Sequence, residues 1–343
     1  MIKDILSSKC LDAIVITSAE NLRYLSGFTG GEGFLVLAKD KNTIIVDSRY
    51  TIQAKQQTNG FEVIEYKANP YKLIADMGFA KVGFEDGNIS YAVYNRLKEV
   101  ASSLLGVSAE LDNLRKVKKE EEARCIRRAE SIGDRAFEHI LHFIKPGITE
   151  REIALELEYF MKKNGADGLA FDSVVAVAER SALPHAEATD RRVEDGRFVL
   201  MDYGCKYNGY CGDMTRTVAV GTIDDKMKNI YDIVLKAQTE SLKAVCAGAK
   251  NKDVDAVARN IIKDAGFGEN FGHALGHGVG LLVHEAPNLS PRSEDTLQVG
   301  NIVTVEPGIY VEDFCGVRIE DLVLVTQNGC ENFTKSAKDL IIL

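Results

Sequence analysis

At 343 residues, 45% hydrophobic and 27% charged, the chain has an ordinary globular make-up and room for two domains that each bury a core. Its net charge of −9 gives no electrostatic encouragement to bind nucleic acid or an anionic membrane. Seven cysteines, an odd number without CxxC spacing, point to reduced thiols, and no apolar run approaches membrane-spanning length, so a cytoplasmic location is expected.

In chain order, AIVIT, GFLVLA and TIIVD read as strands and Tyr50 to Gln57 as a short helix, which predicts an α/β domain. The glycines of GFTGGEG (Gly27 to Gly33) read as turn residues, because the Lys-Ser/Thr that completes a phosphate loop is missing. The charged stretch Leu114 to Glu122 lacks apolar periodicity and fits a linker or the solvated start of a helix. It divides the chain into expected domains 1–115 and 116–343. A long helix over Glu121 to Ile144 should end at Pro146-Gly147, and Thr149 with Glu152 forms a capping box for a helix running to about Lys163. A second helix pair is expected near Met227 to Ala247 and Val254 to Ala265. A shift of 101 positions aligns Gly147 with Gly248, Ile153 with Val254 and Gly165 with Gly266, a weak repeat that suggests two halves, each two helices and a hairpin.

The chemistry is concentrated in that second part. Phe198 to Tyr203 and Tyr210 to Val220 read as strands joined through Asn208-Gly209, a strong hairpin dipeptide. A two-residue turn there sets Asp202 against Thr215 and diagonal to Asp213; a shifted turn sets the two aspartates directly opposite. Both registers leave them on one face. Asn301 to Glu306 alternates as a strand that stops at Pro307-Gly308, and Gly316 to Val325 is a further strand pattern in which Arg318 and Glu320 share a face. His273 and His277 are four apart, yet the surrounding glycines argue for extended backbone, so one of the two is taken as a ligand. A lone hairpin Asp is ordinarily a turn residue. Carboxylates set inside apolar strands are costly unless compensated, and four of them with one imidazole read as a site for two divalent cations, Mn²⁺, Co²⁺, Fe²⁺ or Zn²⁺, with Arg318 offsetting residual charge.

The segments SALPH (Ser181 to His185), MDYGCKYNGYCGDMTRT (Met201 to Thr217), GHALGHGVGLLVHEAP (Gly272 to Pro287), VEPGIY (Val305 to Tyr310) and GVRIEDLVLVT (Gly316 to Thr326) resemble the Xaa-Pro peptidases, aminopeptidase P and prolidase, of the creatinase-like pita-bread superfamily. The resemblance spans nearly the whole chain. It implies an α/β N-terminal domain followed by an α+β pita-bread catalytic domain around a curved, mainly antiparallel sheet. It implies that Asp202, Asp213, His277, Glu306 and Glu320 hold two metal ions, Mn²⁺ foremost, with Asp213 and Glu320 shared between them. Glu306 would also handle the proton of the attacking water, His284 the oxyanion, and His185 the substrate or leaving nitrogen. Arg318 would hold a ligand carboxylate, and His273 and Tyr310 would face substrate. The expected substrates are proline-containing peptides and the expected assembly is a homodimer. The segment Thr43 to Gln57 looks more like bacterial Xaa-Pro aminopeptidases than archaeal prolidases, so aminopeptidase activity is expected ahead of dipeptidase activity. A metal-free creatinase-like amidinohydrolase and a non-catalytic peptide-binding module are remoter readings, both opposed by the complete ligand set. Departures from the family pattern fall at Ala178 to Arg180, Ala186 and Leu282.

Overall fold

A computed structural model describes residues 1–343. The chain divides into two compact units, Met1–Arg115 and Lys116–Leu343.

The first unit is a six-stranded sheet of β1 (Ala13–Ile16), β2 (Phe34–Ala38), β3 (Asn42–Val46), β4 (Glu62–Glu65), β5 (Lys81–Phe84) and β6 (Ser103–Gly106) in the order β4-β3-β2-β1-β5-β6. Pairings β1–β2 and β2–β3 are antiparallel and the outer ones parallel, which the intervening helices make feasible. These helices are α1 (Ile2–Ser8), α2 (Ala19–Ser26), α3 (Thr51–Gln57), α4 (Pro70–Asp76), α5 (Tyr91–Lys98) and α6 (Ser108–Lys116). Ile14, Ile16, Leu35 and Ile44 pack into one core while Ala13, Val15, Val36 and Ile45 pack into another, so alternation along each strand feeds both faces.

The Leu114 to Glu122 stretch holds the boundary between the two units and the start of α7 (Glu120–Leu141), where Lys119, Glu120 and Glu121 are exposed, but it is not solvated throughout. Its ends belong to α6 and to α7, and Arg115, Lys118 and Glu122 are buried. Arg115 donates to Asn21 at 2.7 Å, Lys118 pairs with Glu285, and Glu122 accepts from the Lys119 amide at the start of α7. Partners far away in sequence thus bury charges that local pattern places in water.

In the second unit α7 packs with α8 (Glu150–Lys163) through a stripe that includes Ala129, Ile132, Ala136, Phe137 and Ile140, the spacing of one helix face. They cover a ladder of β8 (Val174–Val177), β9 (Arg197–Tyr203) and β12 (Met214–Val220), while β7 (Gly168–Leu169), β10 (Cys205–Tyr207) and β11 (Tyr210–Cys211) form a smaller ladder beside it. The other half repeats this plan. Helices α9 (Asp225–Ala244) and α10 (Asn251–Asp264) pack on β13 (Gly276–Gly278), β14 (Glu285–Leu289), β15 (Ile302–Val305), β18 (Asp321–Thr326) and β19 (Gly329–Asn332), with β16 (Gly308–Val311) and β17 (Cys315–Arg318) as a separate hairpin. The 101-residue shift has a structural counterpart. The helices α8 and α10 are both 14 residues long, and the Gly147 amide bonds to Val193 as that of Gly248 bonds to Leu297. Both of these glycines take positive φ, as do Gly165 and Gly266 after the helices, conformations that favour glycine.

Two predicted strands are broken where the ligand candidates sit. Asn208-Gly209 does close a two-residue turn, between Tyr207 and Tyr210, but β11 ends at Cys211 and β12 begins at Met214. At the break a Cβ on Gly204 would lie 2.0 Å from the Gly212 carbonyl oxygen, and one on Gly212 would lie 2.9 Å from the Glu130 amide. The chain bends through that contact with α7 and delivers Asp213. The Gly316 to Val325 strand is likewise interrupted at Ile319 and Glu320, between β17 and β18. No helix is long and apolar enough to cross a membrane.

Candidate metal centre

Each half contributes one carboxylate from the outgoing end of one strand of an antiparallel pair, Asp202 on β9 and Glu306 just after β15, and another from immediately before the partner strand, Asp213 before β12 and Glu320 before β18. The β9–β12 register sets Asp202 opposite Thr215, the first of the two arrangements expected of a hairpin. The two halves meet here, where the Glu320 amide donates to the Thr215 carbonyl at 3.1 Å. His277 enters from β13, whose neighbouring glycine Gly276 lies so close to β15 that a Cβ would stand 2.0 Å from the Thr304 carbonyl oxygen.

Asp213, His277 and Glu320 place ligand atoms within 4.8 Å of one another. His277 Nε2 lies 3.3 Å from Glu306 Oε1 and 3.7 Å from Asp213 Oδ2. Its Nδ1 is 3.1 Å from the Gly278 carbonyl, which can only accept, so Nδ1 carries the hydrogen and Nε2 is directed into the cluster. All five candidates, with His185, His273, His284 and Arg318, line one cavity of about 430 Å³. Tyr310 is joined to it by hydrogen bonds. Its hydroxyl accepts from Arg318 Nη1 at 2.7 Å and donates to His273 Nε2 at 2.9 Å, while His273 Nδ1 donates to the Ala274 carbonyl. Both ring nitrogens of His273 are therefore engaged within the protein, whereas His185 and His284 are exposed to the cavity. The His284 ring stands edge-on to His277, centroids 4.3 Å apart.

Electrostatics show how poorly this cluster stands without positive charge. Burial, reinforced by Glu320 beside it, pushes the Asp213 carboxyl well above its usual range. Burial and the neighbouring Glu306 and Asp202 do the same to Glu320. Asp202 is raised by burial against the pull of Arg318. For Glu306 burial acts upward too, but the hydrogen bond and charge of His277 outweigh it and hold the group at about 2. His277 responds reciprocally: burial lowers it, and Glu306 more than restores it. Burial, then the nearby His277, keeps His284 low and neutral.

The residues fit divalent metal ions. Carboxylate oxygens and one imidazole nitrogen suit hard and borderline cations. Asp202 Oδ2 accepts from Arg318 Nη2 at 2.6 Å, but its Oδ1 is buried with no hydrogen-bond partner, a costly arrangement that a cation would relieve.

Three supporting residues carry weak sequence signals. Thr215 donates to Glu320 Oε2 at 2.6 Å and accepts from Arg318 Nε at 3.0 Å; the predicted register already faced it toward Asp202. Thr304 donates to Glu306 and accepts from the His277 amide, and its place two residues before Glu306 on a strand signals a shared face. Glu130 accepts from the Asp213 amide at 3.0 Å and from Thr334 Oγ1 at 2.6 Å, and burial pushes its carboxyl to about 8. A carboxylate within an apolar helix stripe is its only signal.

The departure at Ala178 now has a physical description. Ala178 is buried with φ of 54°, the left-handed region that glycine occupies without cost. Buried Glu150 organises this segment, accepting from the Val177 amide, Arg180 Nε and Thr189. Ser181 Oγ then accepts from the Gly316 amide at 2.8 Å, tying the SALPH segment to β17.

Residues 124–327 match the model of metallopeptidase family M24, and residues 1–117 that of the creatinase/prolidase N-terminal domain. A peptidase of Bacillus subtilis is 45% identical over 97% of this chain and 96% of its own length. Among solved structures, an Xaa-Pro dipeptidase from Bacillus anthracis is 42% identical with a TM-score of 0.96, covering 100% of this chain and 98% of that one. An X-Pro aminopeptidase from Thermotoga maritima is 39% identical with a TM-score of 0.90, covering 100% and 99%.

Proposed function

The chain belongs to metallopeptidase family M24, and from that premise we propose that it hydrolyses the bond between an N-terminal residue and proline, as an Xaa-Pro aminopeptidase. Xaa-Pro cleavage is supported by the activities named for its relatives of known structure. The choice of aminopeptidase rests on one observation. A dipeptidase must recognise a carboxylate directly after proline, ordinarily with a cation. The cavity lining includes one guanidinium, Arg318, and it is committed to Asp202, Thr215, Tyr310 and the Pro184 carbonyl. The B. anthracis relative favours the second reading, an Xaa-Pro dipeptidase, in which His185 or His284 would take that carboxylate.

Asp202, Asp213, His277, Glu306 and Glu320 would hold two metal ions, Asp213 and Glu320 serving both. When bound, such a pair supplies Lewis-acid polarisation of the scissile carbonyl and a more acidic attacking water. We assign the water's proton to Glu306, whose carboxylate already faces His277. We assign neutral His284 as donor to the oxyanion, and His185 to position the substrate or the departing proline nitrogen. Arg318 orients Asp202, Tyr310 braces Arg318 and His273, and His273 presents the cavity wall to the substrate. An Xaa-Pro bond has no N–H, so this scheme asks nothing of one.

Mn²⁺ is the proposed working ion on donor chemistry. Seven free cysteines support a cytoplasmic location, and the family resemblance supports a homodimer. Competition between an Xaa-Pro dipeptide and the same dipeptide extended by one C-terminal residue tests the specificity. The extended peptide should be cleaved at least as fast at its first bond; exclusive hydrolysis of the dipeptide would establish the second reading.

A further inference from the structure

Arg216 lies on β12, three residues beyond Asp213, and is 1% exposed. Every N–H of its guanidinium is used. Nε donates to the Ala337 carbonyl at 3.0 Å, Nη1 to the carbonyls of Thr215 at 2.9 Å and Glu320 at 2.5 Å, and Nη2 to Asp321 Oδ1 and the Ser336 carbonyl, both at 2.8 Å. Asp321, also buried, spends Oδ2 on Gln238, Asn332 and Lys338. The same C-terminal segment reaches the other shared carboxylate: Thr334 Oγ1 donates to Glu130, which accepts from the Asp213 amide. Buried ion pairs contribute little net stability against apolar replacements, so stability alone is a weak account of this arrangement. It converges on the main chain of two residues, Asp213 and Glu320.

We infer that Arg216 and the segment Thr334–Lys338 form a clamp that sets the spacing of Asp213 and Glu320, with Arg216 as a positioning residue for the metal pair. This rests on the proposed assignment of those two carboxylates as shared ligands. Groups that orient ligands commonly change metal affinity by about 10–100-fold when replaced. A lysine at position 216 keeps the charge but cannot span the Glu320 carbonyl, Asp321 and the tail together.

The test is Mn²⁺ titration by calorimetry into chelator-stripped, full-length wild type, Arg216→Lys, Lys338→Met and the core control Ile262→Val. The spectrum of the Mn²⁺-loaded proteins by electron paramagnetic resonance is recorded alongside, because coupling between two ions follows their spacing. Arg216→Lys should bind at least one of two equivalents about 10–100-fold more weakly with altered coupling. Lys338→Met, which removes one of the three donors to Asp321 Oδ2 and leaves Arg216 in place, should show a smaller loss in the same direction. Ile262→Val should lower thermal stability and leave affinity and coupling unchanged. Wild-type affinity and coupling in both clamp variants would overturn the inference; if Arg216→Lys does not fold, the Lys338→Met result decides it. Wild type that fails to take up two equivalents would instead remove the two-metal reading, and the clamp with it.

Discussion

Asp202 is held by one oxygen only: its Oδ2 lies 2.6 Å from Nη2 of Arg318, while its Oδ1 is buried and has no hydrogen-bond partner. Arg318 thereby anchors one carboxylate oxygen and leaves the other unpaired. Arg318→Lys should keep the positive charge but lose the simultaneous hold on Asp202, Tyr310 and Thr215. We expect metal affinity to fall about 10–100-fold and peptidase activity to fall with it. Equal affinity and activity in the lysine variant would show that charge alone matters at this position.

His185 and His284 are the exposed imidazoles of the cavity, free of the internal bonds that occupy His273. Replacing either with alanine should lower kcat about 10²-fold or more, the scale of a lost oxyanion donor, while metal content stays near wild type. Loss of a metal equivalent from His284→Ala would make His284 a ligand and reopen the assignment of His277.

The stripped protein should have an unusual pH dependence. Glu130 holds its proton to about 8, and burial raises Asp213 and Glu320 well above their usual range too, so the metal-free folded state binds protons that the unfolded chain has released by about pH 5. More protons bound when folded means that stability falls as pH rises through this window. Chelated protein should therefore melt at progressively lower temperature from pH 5 to 8, with a shallower decline for Glu130→Gln and for metal-loaded protein. Thermal melts across that range check it; a melting temperature of chelated protein that climbs with pH is the contrary result.

Ala178 sits at φ of 54° in a buried turn. The left-handed conformation costs a non-glycine residue roughly 1–2 kcal/mol, and glycine's extra unfolded-state freedom returns about 0.5–1 of that. Ala178→Gly should therefore stabilise the protein by about 0.5–1 kcal/mol, read as a higher midpoint in denaturant. A lower midpoint would mean that the methyl group's packing outweighs the backbone strain.

How far these features could be read from sequence depends on how local their causes are. The capping box of Thr149 and Glu152 lies within one helical turn, and α8 begins right after it at Glu150. The Asn208-Gly209 turn and the Asp202–Thr215 register are equally local. The breaks before Asp213 and Glu320 are not: the strand pattern runs on through both, and the bend at Gly212 arises from close approach to Glu130 on α7. Burial of Arg115 and Lys118 depends on Asn21 and Glu285, distant partners that no short window contains. The carboxylates of the cavity were legible because they interrupt apolar strands. Glu130 and Arg216, which support them from behind, look like ordinary charges on a helix and a strand.

The central claim is that Asp202, Asp213, His277, Glu306 and Glu320 together hold the metal that hydrolysis requires. The most direct measurement is hydrolysis of an Xaa-Pro peptide by wild type and Asp213→Ala, each stripped by chelator and then titrated with Mn²⁺, with bound metal counted in the same samples. Stripped wild type should be inactive and recover as two equivalents bind, whereas Asp213→Ala should stay inactive and under-occupied. Full activity in rigorously metal-free wild type, or an active and fully metallated Asp213→Ala protein, would contradict the account.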